Sequence, residues 1–100
     1  MALSRTAHER RQHEAAYHAL TAAMHAASDD NDHALLEAIA GEAQTQITWI
    51  DRYEAAHRLS THSSQRRGHP GVYAMLTRDA LIHADLLKRR IRHAATGPVG

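Results

Sequence analysis

Residues 31–59 read NDHALLEAIAGEAQTQITWIDRYEAAHRL, and the spacing of their apolar positions decides the fold class. Leu36, Ala40, Ala43, Ile47, Ile50, Glu54 and His57 recur every three or four residues, the period of one face of an α-helix. Leu35, Ile39, Trp49 and Tyr53 widen the same stripe. Gly41 lies inside the run, where it costs about 1 kcal/mol relative to alanine. The period continues through it, so close approach of a neighbouring helix is expected there rather than a break.

Working outward, the same period appears twice more. Upstream, His13, Tyr17, Leu20, Met24 and Ala27 form a seam that begins in a more polar stretch at Leu3 and Arg10. Thr6 and Glu9 have the spacing of a capping box, in which hydroxyl and carboxylate each satisfy a free backbone donor. This predicts a first helix over about 4–27. Residues 28–32, SDDND, gather the short polar acceptors of a helix N-cap, and the second helix is expected over about 31–59. Residues 60–69 are polar without a period and read as a loop. Pro70 suits the first position of a third helix, over about 70–95. Tyr73, Leu76, Ala80, His83, Leu87, Ile91 and Ala94 make its stripe. Gly97 and Pro98 stop it and leave a frayed tail over 96–100. Residues 1–100 therefore read as one all-α domain, a three-helix up-down-up bundle.

Composition limits the core of such a bundle. Twenty residues are Ala and none is Phe, so much of the 43% apolar content is small side chains. Alanine favours helix but buries little area. Long helices with a thin core are expected to complete themselves by homo-oligomerisation, most simply as a dimer. Trp49, Tyr53, Tyr17, Leu20 and Met24 are the candidate interface residues. Cysteine is absent, which removes disulfides, thiol catalysis and cysteine-ligated zinc. The polar start has no apolar segment of a signal peptide. No apolar run approaches the ~18 residues of a transmembrane helix. The expected compartment is the cytoplasm, with no membrane partner.

The net charge of +1 makes no general case for nucleic acid. Ten histidines are the unusual feature, and protonating all of them would raise the charge to +11. One Lys, eleven Arg and abundant Ala, Gly and His also match a GC-rich coding bias, in which the histidines have no role.

Three constellations bear on chemistry. Glu54 and His57, three apart on one helix face, form an E-x-x-H pair of the style found inside ferritin-like bundles. Counting levels along an up-down-up bundle brings His13 and His83 together, with Asp79 about one turn away. Such a set suits a transition metal, Zn, Fe, Ni or Cu, although nothing in the sequence requires a cofactor. Against a metal, carboxylates precede histidines by four residues at Glu9–His13, Glu14–His18, Asp29–His33 and Asp79–His83. Ordinary pairing on a helix surface explains that spacing. Second, Arg66 and Arg67 in the loop, with Lys88, Arg89, Arg90 and Arg92 at the end of helix 3, make two basic patches suited to phosphate contacts. Cations at a helix C-terminus also simply oppose its dipole. Third, the Ala-rich seams with Trp49 and Tyr53 suit helix–helix recognition.

No catalytic signature is present. His8 and His13 are one residue too far apart for H-E-x-x-H, which turns them away from each other. The leading expectation is a non-enzymatic, homodimerising protein-interaction or regulatory module. A His/carboxylate metal-binding bundle is the alternative, and a nucleic-acid-binding regulator using the basic end of helix 3 the second alternative.

Overall fold

The computed structural model describes residues 12–96, with side chains described through residue 94. Four helices occupy this span: α1 (His13–Asp29), α2 (His33–Tyr53), α3 (Thr61–Arg66) and α4 (Val72–Thr96). Of the described residues 81% are helical and none lies in a strand, so the chain is all-α. The Leu3 and Arg10 positions, the Thr6 and Glu9 capping box, and the tail beyond residue 96 lie outside the described residues.

The junction of α1 and α2 follows from its polar residues. Asn31 adopts φ 54°, in the left-handed region that Asn tolerates better than most residues. This lets the Asp32 N–H reach back to the Ala27 carbonyl at 2.9 Å and close α1. Asp32 then caps α2, its carboxylate accepting from the Leu35 N–H at 3.0 Å.

The second junction differs from the expected helix to 59 and structureless loop. α2 stops at Tyr53, and a short helix stands in residues 60–69. Side chains that bond the backbone locally compete with helix continuation here. The His57 ring accepts from the Leu59 N–H at 3.1 Å. The Ser60 hydroxyl donates to the Ala55 carbonyl at 2.6 Å and accepts from the Ser63 N–H, capping α3. Asp51 accepts from both the N–H and the hydroxyl of Thr61. Gly68, at φ 68°, ends α3. Gly71, at φ 97°, holds the chain out of helix, so α4 begins at Val72 and Pro70 stands before it.

α2 and α4 form the main helix pair, with α1 packed on α2 and less extensively on α4. Lys88 Nζ meets Glu37 Oε1 at 2.8 Å at one end of the pair, and Tyr73 meets Gln46 toward the other. These contacts run α2 and α4 in opposite directions. Leu20, Leu36, Ile39, Ile50 and Tyr73 are buried at the centre. Each such aliphatic side chain contributes roughly 1.5–3 kcal/mol over being left exposed. The radius of gyration, 15.7 Å, exceeds the ~13 Å of a compact 100-residue domain. The excess matches extents of 59 × 29 × 18 Å, an elongated body.

The stripes differ from the expected pattern in three places. Gln46 is buried, while Ile47 is only partly so. On α4 the buried line is Tyr73, Leu76, Ala80, Ala84 and Leu87, so Ala84 takes the place expected of His83. Ile91 is 53% exposed, and Ala94 is exposed as well. Lys88 already pairs with Glu37 near the start of α2, so α4 runs on past its partner helix. Gly41 is a fourth difference: it is exposed, and a Cβ built there meets nothing within 4 Å. Among the described residues no neighbouring helix approaches it closely.

Candidate functional site

The sequence offered Glu54 with His57 as one candidate metal pair and His13, His83 and Asp79 as another set, and the fold brings Glu54, His57 and His13 together. α2 ends at Tyr53, and Glu54 leaves the helix with φ −139°. Its carboxylate turns toward the first residue of α1, where Glu54 Oε2 lies 2.9 Å from His13 Nε2. The His13 side chain is fully buried, and that of Glu54 is 26% exposed. The His57 ring stands edge-on to His13, with centroids 4.8 Å apart, and Trp49 covers His13 from α2 at 5.5 Å. Burial lowers the pKa of His57, and the neighbouring His13 lowers it further, against the attraction of Glu54 and Glu14.

Among the described residues no three His, Asp or Glu side chains are placed to hold one ion. His57 Nδ1 is taken up by the Leu59 N–H, and its ring meets His13 edge-on. The other two candidates are elsewhere. His83 is exposed and hydrogen-bonded through Nδ1 to Ser28 Oγ at 2.7 Å, near the far end of α1. His13 and Ser28 are separated by about 22 Å of helix. Asp79 borders a groove with Met24 and His25, about three turns along α1 from His13. The levels expected from the sequence shifted because α2 ends six residues early and the 54–71 segment is folded rather than looped.

The two basic patches are also separate. Arg66 and Arg67 lie at the end of α3, beside the start of α4, whereas Lys88, Arg89, Arg90 and Arg92 lie at the end of α4. At least ~24 Å of helix divides them. Within the second patch, Lys88 pairs with Glu37 and Arg89 with Asp85, at 2.8 and 2.9 Å. Beside the first, Arg58 donates from Nε to Glu14 Oε1 at 2.7 Å, which holds the Glu14 carboxyl below its ordinary range and the Arg58 guanidinium above its own. Arg67 Nη2 donates to the Arg58 carbonyl at 2.9 Å. Arg58 was not among the sequence candidates, since it stands alone, eight residues before the Arg66–Arg67 pair.

Of the expected interface residues, Leu20 is fully buried within the chain and presents no surface to a partner. It sits on the centre of the α1 seam, facing α2 and α4. Tyr17, Met24 and Trp49 are half-buried against the same core. Tyr53 is exposed, its ring tilted against Trp49 at 5.1 Å, with the Arg52 guanidinium 5.4 Å from its ring. The apolar surface that the sequence reading missed is on α4. Leu81, Ile82 and Leu86 are 48%, 49% and 46% exposed. Their signal was present, since three large aliphatics fall off the stripe.

No helix of the described chain is long and apolar enough to cross a membrane. No family model, curated protein or solved structure matches this chain.

Proposed function

We propose that this chain is a non-enzymatic, cytoplasmic interaction module in which α1, α2 and α4 act as an up-down-up bundle that pairs with a second copy through the outer face of α4. The observation that carries the reading is the half-exposure of Leu81 and Ile82 on the side of α4 turned away from its core line. Aliphatic side chains of this size are normally covered when they stand in adjacent positions on a rigid helix.

The charges around them favour a second copy. Arg78 and Asp85 stand three residues before Leu81 and three after Ile82, on the same helix face. A two-fold axis between Leu81 and Ile82 sets antiparallel helices against each other. Leu81 of each chain then meets Ile82 of the other, and Arg78 of each chain faces Asp85 of the other. An isologous contact needs this self-complementarity. Lys88 falls opposite Met75, so no like charges are opposed.

Sedimentation equilibrium of the full chain tests the reading. The expected result is a mass twice 11.1 kDa that reverts to one chain in L81E/I82E while helicity is retained. R78D is expected to weaken association, and R78D combined with D85R to restore it. A single-chain mass at every concentration rejects the proposal.

A further inference from the structure

We infer that the cleft between the 56–58 turn and α3 binds a phosphate group through Arg58, Arg66 and Arg67, with the Ser63 hydroxyl as a further donor. The site is independent of the α4 face.

The cleft measures about 350 Å³ and is lined by Ala56, Arg58, Ser63, Arg66 and Arg67. Three arginines thus border one cleft. Among the described residues one carboxylate is paired with them, Glu14, which takes the Arg58 Nε–H. Arg67 is fixed by its bond to the Arg58 carbonyl, which is neutral. Among the described residues Arg66 forms no ion pair or hydrogen bond. A dianion in the cleft would be bordered by three cationic side chains.

The geometry favours phosphate over other anions and over a nucleic-acid track. A carboxylate carries one charge and would leave the cleft cationic, whereas a phosphate monoester carries close to two at neutral pH. Guanidinium forks match phosphate oxygens two at a time. Two of the three guanidiniums are already held, Arg58 by Glu14 and Arg67 by the turn, which reduces the ordering that binding requires. A nucleic acid needs charge spread along a face. Among the described residues the other basic side chains are dispersed, with Arg52 at the end of α2, Arg78 in the first half of α4 and the rest at the far end of α4, where Lys88 and Arg89 are already paired with Glu37 and Asp85.

The test is a titration of the isotopically labelled full chain with inorganic phosphate at fixed ionic strength, reading the arginine Nε–Hε resonances. Saturable shifts of Arg66 and Arg67 at millimolar phosphate are expected. R66A should weaken binding about tenfold, and R66K should recover part of it, since charge remains while the fork is lost. R90A should leave the affinity unchanged. Arg66 is exposed, so these variants are expected to keep the helical spectrum. Tighter binding of a phosphoserine peptide than of inorganic phosphate assigns the group to a phosphorylated protein, and equal binding to a free phosphate compound. Absence of saturable shifts at tens of millimolar overturns the site. So does oligonucleotide binding that weakens equally when Arg89, Arg90 and Arg92 are replaced.

Discussion

The Tyr73 hydroxyl donates to Gln46 Oε1 at 2.9 Å, and both residues are buried where α1, α2 and α4 converge. The His13 carbonyl stands 3.3 Å from the same hydroxyl, so one side chain of α4 is held against both other long helices. Burial drives the Tyr73 pKa upward, which keeps the hydroxyl protonated as a donor. Tyr17 packs edge-on to its ring at 5.6 Å. A polar contact at this depth sets the register of α2 against α4, because sliding either helix would strand both polar groups.

Y73F should therefore cost about 1–3 kcal/mol, the penalty for leaving a buried amide oxygen without this donor. Urea unfolding of the variant gives the value. A loss within ±0.3 kcal/mol of zero would show that the bond contributes little net stability.

E54A removes the carboxylate from His13 Nε2 and loosens the junction of α1 with the end of α2. Hydrogen bonds to charged groups contribute about 1.5–3 kcal/mol, and partial exposure of Glu54 puts the expected loss toward the lower figure. Amide exchange should quicken first at the start of α1. Uniform quickening across α4 as well would contradict the local role assigned to this pair.

His57 makes stability fall with acidification. Burial and His13 lower its folded pKa, Arg58 adds to this, and Glu54 and Glu14 oppose it. Above about pH 6.5 it is neutral in both states and contributes no pH dependence. As pH drops below that value the unfolded chain takes up the proton first, so stability decreases until the folded ring protonates too. The lowered pKa values of Glu14 and Glu37 act only below 4.5 and stay out of this window. H57Q should flatten the dependence of the urea midpoint between about pH 6.5 and 5. Identical slopes for the two proteins would remove His57 as the source.

L20A should cost about 3–5 kcal/mol, since a side chain with no exposed surface leaves a cavity between three helices. That is a large part of the ~5–15 kcal/mol available to a chain of this size. A loss below about 1 kcal/mol, within the surface range, would return Leu20 to the interface.

G41A should stabilise the protein by about 0.5–1 kcal/mol, because the added methyl enters open space and the residue lies inside a continuous helix. Thermal unfolding measures it. Destabilisation would mean that another chain approaches this face.

The helical class, the three long amphipathic runs and the turn at residues 28–32 were legible in the sequence. A three-to-four period reports which face of a helix is apolar, and SDDND announces a cap, because both are local properties of consecutive residues. What packs opposite that face is not local. Only the tertiary structure put Gln46 rather than Ile47 in the core, set Ala84 where His83 was expected, and left Leu81 and Ile82 uncovered. The decisive event was the early end of α2 at Tyr53. Ser60 and Asp51 bond the backbone there in preference to another helical turn, and the fold shifts α4 along α2 as a result. That displacement separates His83 and Asp79 from Glu54 and leaves His13 beside it. It also places Arg58 at the cleft that Arg66 and Arg67 line. Periodicity fixes direction around a helix axis, but the distance along it depends on where each helix ends, and here hydrogen bonds between residues up to ten apart decided that.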